Sequence, residues 1–329
     1  MKTTSIIAAG MTLFAGAAFA DMPVLSVYTY DSFTSDWGPG PTIEAAFEET
    51  CACDLQFVGA GDGAALLARI RLEGARTDAD IVLGLDTNLT AAAMKTGLFA
   101  PHAVTATGLT LPIAWDDPVF LPFDWGYFAF VHNTDMENVP GSFTELAASD
   151  ARIIIQDPRS STPGLGLLMW VEAAYGPDAP AIWDGLADNI VTVTPGWSEA
   201  YGLFLAGEAD MVLSYTTSPT YHLIAENDAT KTAAMFTEGH YLQVEVAGML
   251  AGTDQPELAQ DFLRFMLTPA FQEVIPTTNW MYPAALPADA LPPGFETLIQ
   301  PETALLLSPE QAAEARDGAL ATWQAALSR

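Results

Sequence analysis

Short apolar runs alternate with amphipathic segments along the first hundred residues, and this alternation restricts the fold more than any other feature. Three runs have the length and composition of buried strands: residues 25–30, 55–58 and 79–85. Three further segments carry apolar residues at helical spacing: residues 42–50, 64–73 and 88–96. This repeated strand–helix order predicts a parallel, doubly wound α/β sheet with right-handed crossovers.

A second α/β set follows the apolar residues 120–132, which we interpret as strands that leave the first lobe, and residues 240–250 predict the return crossing. The pattern also predicts strands at 152–156 and 211–214, and helices at 165–175, 198–206, 257–267 and 308–327. Gly207 is placed to end one of these helices with a positive φ, and Ser308 begins the last one. We expect two lobes, composed of residues 21–125 with 248–329 and of residues 126–247.

The first twenty residues have the features of a secretory signal. Lys2 precedes an apolar core from about residue 6 to residue 18, and Ala18-Phe19-Ala20 is a small-x-small cleavage site. We expect cleavage before Asp21 and export to the periplasm. A retained membrane anchor is the alternative, but it requires a longer apolar span, and no later stretch reaches that length.

The charge of the chain is strongly acidic, with a formal net charge of −30. Such a surface argues against nucleic acids and anionic membranes as partners. It attracts cations, although solubility or a salty habitat explains the same composition. Half of the residues are hydrophobic, so the chain is able to form a large core, and disorder is not indicated.

Cys51 and Cys53 are the two cysteines of the chain. In an exported protein, an even number favours a structural disulfide, with free thiols as the alternative. Zinc is disfavoured because no histidine lies near and structural zinc takes four ligands. We expect neither cysteine to be catalytic, because each has the other as an oxidising partner.

Aromatic and hydroxyl residues surround the predicted strand 211–214. Trp197 lies just before the helix that leads to it, and Tyr215, Thr216, Thr217, Ser218 and Tyr221 follow it. Asp31 and Asp62 follow two earlier strands in the same way. In open α/β sheets ligands bind outside the carboxyl ends of strands, so these residues are candidates for a binding site. Core aromatics, turns and helix caps are the alternative roles.

Ser161 and Thr162 precede Pro163 at the start of a predicted helix. A Pro at the first helical turn leaves backbone N–H groups free to bind an anion. The alternative is a well-capped helix without a ligand.

Motifs for catalysis are absent from the sequence. It contains no His-Glu-x-x-His, no Gly-x-Ser-x-Gly, no phosphate-binding loop and no dinucleotide-binding glycine motif. The four histidines, His102, His132, His222 and His240, have no metal-ligand spacing. We therefore predict no catalytic residue, no metal site and no cofactor.

Several segments closely resemble the periplasmic thiamine-binding proteins of ABC importers: residues 28–33, 36–41, 80–86, 156–166, 196–221 and 279–283. The resemblance runs along nearly the whole mature chain and includes the paired cysteines. It implies a type II periplasmic-binding-protein fold, in which two doubly wound α/β lobes are joined by crossing strands. The ligand, thiamine or a phosphate ester of thiamine, is then expected in the cleft between the lobes.

The resemblance also implies which residues contact the ligand. The expected contacts are Asp62, Gly63, Ser161, Thr162, Trp197, Tyr215, Thr216, Thr217 and Ser218, with Tyr221 and Trp280 as stacking rings. Tyr30, Asp31 and Trp37, from the first two matching segments, complete the expected set. Trp125 departs from the tyrosine expected in close relatives, with a change in the pocket wall as the expected effect.

The chemistry of thiamine fits these residue types. Its thiazolium ring is permanently cationic and suits aromatic faces, at about 0.5–2 kcal/mol per contact. Asp62 or Asp31 is able to accept a hydrogen bond from the exocyclic amine. The hydroxyl-rich segments at 161–162 and 216–218 supply donors for a phosphate end.

Three alternatives share parts of this pattern. Ferric-binding proteins are expected to use adjacent tyrosines, whereas Tyr215 is followed by Thr216, and polyamine binders have little use for hydroxyl-rich loops. A thiaminase-like enzyme needs a cysteine nucleophile, and Cys51 and Cys53 lie near the end of the first helix instead. We predict a monomeric binding protein that delivers its ligand to a membrane permease and, through it, to an ATPase. The sequence does not decide between thiamine, its monophosphate and its diphosphate.

Overall fold

The computed structural model describes residues 22–328, so the predicted secretory signal and its cleavage site lie outside the described residues. The strands are β1 Val24–Thr29, β2 Asp54–Gly59, β3 Ile81–Asp86, β4 Phe120–Asn133, β5 Ile153–Gln156, β6 Ile190–Thr194, β7 Met211–Tyr215, β8 Lys231–Ala233, β9 His240–Met249, β10 Tyr282–Pro283 and β11 Ala304–Leu305.

The helices surround this set of strands. They are α1 Asp31–Thr34, α2 Gly40–Cys51, α3 Gly63–Glu73, α4 Thr87–Met94, α5 Phe143–Ala147, α6 Thr162–Tyr175, α7 Ala179–Leu186, α8 Trp197–Leu205, α9 Pro219–Tyr221, α10 Pro256–Phe265, α11 Pro269–Gln272, α12 Ile275–Thr278 and α13 Pro309–Leu327. None of the described helices is both long and apolar enough to span a bilayer.

The strands form one mixed sheet with the main order β2-β1-β3-β9-β4-β7-β5-β6. At one side β1 pairs in parallel with β2 and β3, and at the other side β5 pairs in parallel with β6 and β7. The strands between these groups are antiparallel, because β9 runs opposite to β3 and β4, and β4 runs opposite to β7. The predicted α/β fold with crossing strands is confirmed, but along the main strand order the sheet is parallel only in its two outer groups, and β11 adds a short parallel pair to β9.

The predicted crossing at residues 120–132 is the single strand β4. Its first part, Phe120 to Tyr127, pairs with β9, and its second part, Phe128 to His132, pairs with β7. Nearly all of β4 and all of β9 are buried, because helices or other strands cover both of their faces. The assignment of residues to two lobes stays a prediction.

Several local predictions differ from the structure. The loop expected after the first strand begins with the short helix α1, and Trp197 is the first residue of α8 rather than the residue before it. The helix expected from about Thr220 is only three residues long before it widens into a π-helix over His222–Glu226. The helices α5 and α7 and the strand β6 were not predicted. Strand β6 is partly exposed at the sheet edge, so its apolar pattern is weak.

A disulfide joins Cys51, the last residue of α2, to Cys53, and Ala52 between them has a φ of 49°. Cys53 is buried in the core that covers one face of the first strands. The bridge therefore fixes the turn between α2 and β2, as a structural disulfide would.

Candidate ligand-binding cleft

A cavity of about 510 Å³ lies beside the carboxyl ends of β1 and β7, within the size range of small-molecule sites. Eight predicted site residues line it: Tyr30, Trp37, Asp62, Trp197, Tyr215, Ser218, Tyr221 and Trp280. The other lining residues are Ser32, Pro163, Ser198, Tyr201, Gly202, Leu205, Ala225, Glu245, Thr277, Thr278, Asn279 and Met281. Residues from the two outer parallel groups of the sheet thus meet in one cavity.

Four rings form what we call the aromatic wall: Trp197, Tyr201, Tyr221 and Trp280. Trp197 and Tyr201 stack with their ring centroids 5.0 Å apart and an interplanar angle of 25°. Tyr221 and Trp280 meet edge to face, 5.4 Å apart at 73°. The two rings expected to stack on a ligand therefore contact each other edge to face in this structure, and they are not parallel.

The end of β7 and the loop that follows it fix the position of Trp197. The Trp197 indole N–H donates to Ser214 Oγ at 2.7 Å, and Ser214 Oγ lies 2.7 Å from Ser218 Oγ. Thr216 and Thr217 are buried and do not line the cavity, and Thr216 Oγ1 has no hydrogen-bond partner among residues 22–328. Of the four residues predicted at 215–218, Tyr215 and Ser218 line the cavity, and the two threonines do not.

Asp62 caps helix α3 and also reaches helix α6. Its Oδ1 accepts from the Gly63 N–H at 2.8 Å, and its Oδ2 accepts from Ser161 Oγ at 2.9 Å. Burial raises the pKa of the Asp62 carboxyl, while the hydrogen bonds from Gly63 and Ser161 and the nearby polar groups of Thr162 lower it. The helix start predicted to bind an anion is thus occupied by a carboxylate of the chain itself.

The same two segments touch through their backbones. The Ala65 N–H donates to the Ser160 carbonyl at 2.9 Å. A Cβ added at Gly63 would lie 2.2 Å from Thr162 Oγ1, so this approach requires glycine. Gly63, Ser161 and Thr162 therefore contact one another rather than the cavity in this structure.

Asp31 and Trp37 are both exposed, but of the two only Trp37 lines the cavity. Asp31 is exposed and outside the cavity lining, and its Oδ1 accepts from the Gly61 N–H at 3.0 Å, which is the turn role left open by the sequence. Trp37 is 53% exposed and lines the mouth of the cavity. Trp125 does not line the cavity, since it stacks on Tyr282 at 4.5 Å beside a separate cavity of about 370 Å³.

Three buried carboxyls lie side by side on adjacent strands beneath the cavity, and we call them the acidic floor: Asp86, Asp124 and Glu245. In the strand register, Glu245 on β9 is opposite both Asp86 on β3 and Asp124 on β4. Residues directly opposite each other place their Cβ atoms about 4.5–5.5 Å apart. Glu245 lines the cavity, whereas Asp86 and Asp124 are fully buried.

Polar side chains hold the floor in place. Glu245 accepts from Tyr30 Oη at 2.9 Å and from Gln243 Nε2 at 2.7 Å. Asn279 donates to Asp124 Oδ2 at 2.6 Å and to Tyr30 Oη at 2.8 Å. Burial raises the pKa of Asp124 to about 8 and that of Asp86 to about 7. Burial, with the charge of Asp124 second, raises the pKa of Glu245 well above its ordinary value.

Sequence reasoning missed this floor, although a signal was present. Asp124 and Glu245 are charged residues inside long apolar runs, where an acid is expensive to bury without a specific role. It also missed Tyr201, Asn279 and Met281, which line the cavity. The irregular segment at 279–283 was noted in the sequence, but it gave no reason to assign Asn279 to the floor.

One group of possible metal ligands lies next to the wall. His222, Glu226 and Asp228 bring ligand atoms within 4.8 Å of one another. Both ring nitrogens of His222 already have partners, since Nε2 lies 3.0 Å from Tyr201 Oη and Nδ1 lies 2.7 Å from Glu226. Glu226 also accepts from Tyr221 Oη at 2.9 Å. We interpret this group as a support for Tyr201 and Tyr221.

The chain is similar to known binding proteins over most of its length. The profile of a family described as bacterial extracellular solute-binding protein matches residues 39–273. The thiamine-binding periplasmic protein of Escherichia coli K12 is 56% identical over 310 residues, which cover 93% of this chain and 94% of the relative. The protein of the same name from Haemophilus influenzae is 42% identical over 335 residues and covers both chains completely.

Solved structures agree with this similarity. A structure titled periplasmic thiamin binding protein aligns with a TM-score of 0.91 and 55% identity, covering 94% of this chain and 97% of the other. Iron-bound HitA from Pseudomonas aeruginosa aligns with a TM-score of 0.74 at 22% identity, covering 92% and 99%. The second likeness concerns the fold alone.

Proposed function

Because this chain belongs to the bacterial extracellular solute-binding proteins, and among them to the thiamine-binding periplasmic proteins, we propose that it captures thiamine in the described cavity. The observation that carries the proposal is the contrast within that cavity, where an aromatic wall stands over an acidic floor. A flat organic cation is attracted to ring faces and to carboxylates at the same time. Thiamine supplies both a planar ring and a permanent positive charge.

The proposal includes the mono- and diphosphate of thiamine, since the N-terminus of α6 lies beside the cavity and offers N–H donors. In this structure the Asp62 carboxylate is bonded there. A phosphate would have to replace or rearrange that contact, because two anions in one place repel each other. We therefore expect thiamine itself to be bound without movement of Asp62, and its esters only with such movement.

Binding without chemical conversion is the second part of the proposal. Cys51 and Cys53 are bonded to each other at the end of α2, and neither lines the cavity. The thiaminase-like alternative needs a cysteine nucleophile at the ligand. We expect bound thiamine to be released intact, and free pyrimidine and thiazole products after incubation would overturn this part.

Proteins of the solute-binding family dock to the permease of an ABC transporter. For this chain we propose a periplasmic monomer that delivers thiamine to a dedicated permease and ATPase. The mature start at Asp21 is part of the same proposal, and an intact mass of the exported protein checks it. Uptake of thiamine that persists without those membrane partners would contradict the importer role.

Isothermal titration with thiamine, its two phosphate esters, spermidine and ferric citrate tests the function directly. We expect saturable binding of thiamine at one site per chain and none of spermidine or ferric citrate. The variant Tyr221→Ala should weaken binding, whereas Tyr175→Ala, outside the cavity lining, should not. Failure of wild-type protein to bind thiamine, with intact folding shown by circular dichroism, would contradict the proposal.

A further inference from the structure

The acidic floor has more carboxyl groups than its surroundings can keep ionised. Glu245 is the central member of the floor. The following titratable groups interact with Glu245 or with its two neighbours through charge or hydrogen bonds: Asp62, Asp86, Asp124, Tyr30, Tyr215 and Arg316. Arg316 is the basic member of this set, and it acts on Asp86. None of the ion pairs among residues 22–328 includes a carboxyl of the floor or Asp62.

Hydrogen bonding leaves room for one proton between Asp124 and Glu245. Both oxygens of Glu245 accept from a neighbour, and Asp124 Oδ2 accepts from Asn279. Among residues 22–328, Asp124 Oδ1 is buried without a hydrogen-bond partner, and Glu245 lies directly opposite Asp124 in the strand register. Two carboxylates that share a buried site cannot both ionise without a large penalty, so the pair holds a proton when no cation is near.

We propose that the Asp124–Glu245 pair holds one shared proton while the cavity is empty and releases it to solvent when the ligand cation binds. This inference rests on the proposed function, because it takes the positive charge of thiamine as the trigger. One carboxyl O–H bond breaks, its proton passes to the buffer, and the charge of the pair changes from −1 to −2. The incoming cation compensates the added negative charge, and no other reactant is involved.

The position of Glu245 supports an exchange of the shared proton for the positive charge of the ligand. Glu245 is 6% exposed and lines the cavity, so a bound ring cation lies against it with little water between them. A charge that is poorly screened acts strongly on a neighbouring carboxyl. Burial raises the pKa of both carboxyls, and each charge raises the cost of ionising the other, so the empty pair has a proton to give.

Proton release is measured by titrating thiamine into wild-type protein at pH 7 in phosphate and in Tris, whose ionisation enthalpies differ. We expect the difference in binding enthalpy to correspond to about half a proton or more released per site, and less than that would overturn the inference. Affinity should also rise with pH, by up to about tenfold per pH unit below pH 8. An uncharged analogue, with carbon in place of the charged ring nitrogen, should release no proton.

Two variants locate the proton. Glu245→Gln and Asp124→Asn should each abolish the release, while Glu257→Gln, exposed on α10 and outside the cavity lining, should leave it unchanged. Release that persists in both floor variants would assign the proton elsewhere and overturn the inference. If a floor variant does not fold, the two-buffer measurement on wild type still decides. Tight thiamine binding without proton release refutes only this inference, whereas no thiamine binding refutes the proposed function.

Discussion

The two sides of the cavity are built from different chemistry and from different distances along the chain. The aromatic wall takes three of its four rings from residues 197–221, whereas the acidic floor joins residues 86, 124 and 245. Each ring of the wall supplies its own contact with the ligand, so removing one ring removes part of the affinity. The floor carboxyls act on one another through charge, so changing one changes the protonation of all. We therefore expect wall variants to change affinity, and floor variants to change its dependence on pH.

The largest expected effect tests how rigidly the floor is supported. Gly84 has a φ of +103°, and a Cβ there would lie 2.3 Å from Cδ1 of Tyr30, whose hydroxyl bonds to Glu245. Gly84→Ala should therefore lower the free energy of unfolding by about 3 kcal/mol or more, from overpacking and backbone strain. Urea unfolding measures this change.

Gly318→Ala is the matched control, because Gly318 is exposed in helix α13 and a Cβ there meets nothing within 4 Å. That variant should gain about 0.5–1 kcal/mol from helix propensity. A Gly84→Ala variant as stable as wild type would show that Tyr30 moves easily and that the floor is not rigidly held.

The next prediction tests whether the aromatic wall attracts the positive charge of the ligand or only packs against its apolar surface. Trp280→Ala should weaken thiamine binding by about 2 kcal/mol, or roughly thirtyfold in Kd. About 1 kcal/mol of this, or roughly fivefold, should be absent for an uncharged analogue, because the attraction between a ring face and a cation depends on the charge. Isothermal titration of both ligands measures the difference.

Trp115→Ala is the matched control for Trp280→Ala, since Trp115 is also partly buried and lies outside the cavity lining. Trp197→Ala should show less dependence on the ring charge, because Trp197 lies close to a helix start and is expected to border the phosphate end. If Trp280→Ala weakened binding of the charged and the uncharged ligand equally, the wall would contribute apolar packing alone.

A third prediction concerns stability without ligand. Burial raises the pKa of Asp124 to about 8, while an unfolded chain ionises its aspartates near pH 4. Between these values the folded protein keeps a proton that the unfolded chain has lost. Stability should therefore fall as pH rises, by at most about 1.4 kcal/mol per pH unit for this group.

Asp124→Asn should remove that part of the slope, as seen in urea unfolding at pH 5, 6, 7 and 8. The control Asp261→Asn changes an exposed carboxyl on α10. Identical slopes for wild type and Asp124→Asn would mean that Asp124 binds no proton of its own in the folded protein, and the contrast between wall and floor would then lose its basis.

The smallest effect compares two helix caps. Ser161 caps α6 and bonds to Asp62, whereas Ser142 caps α5 away from the cavity. Ser161→Ala and Ser142→Ala should each cost about 1 kcal/mol of stability. Only Ser161→Ala should also change the Kd of thiamine, by about threefold, since a hydrogen bond to a charged lining residue is lost. Equal effects of both variants on Kd would place Asp62 outside the site.

Features that depend on neighbours along the chain could be predicted from the sequence. Ser308 and Gln311 form the capping box expected at the start of α13, and Gly207 has the expected positive φ of 81° at the end of α8. The first three strands and the helices that follow them are confirmed with boundaries shifted by a few residues. Such predictions succeed because caps and apolar periodicity are local properties.

The floor could not be predicted in the same way, because strand register across β3, β9 and β4 brings its three members together. The edge-to-face contact of Tyr221 with Trp280 depends on the positive φ of 57° at Trp280, a conformation that no sequence pattern indicates for tryptophan. The contact of Asp62 with Ser161 likewise joins residues 99 positions apart. The sequence could supply the members of the site, but not their partners.

The continuous pairing of strand β4 bears on how fast the cavity is able to open and close. It changes partner from β9 to β7 between Tyr127 and Phe128, so the two outer parallel groups of the sheet are joined by paired backbone rather than by a free linker. Moving these two groups apart therefore requires β4 to twist or bend, and it requires no linker to unfold. Collective motions of this kind take microseconds to milliseconds. We therefore expect the cavity to open and close within milliseconds and without local unfolding, which takes up to seconds.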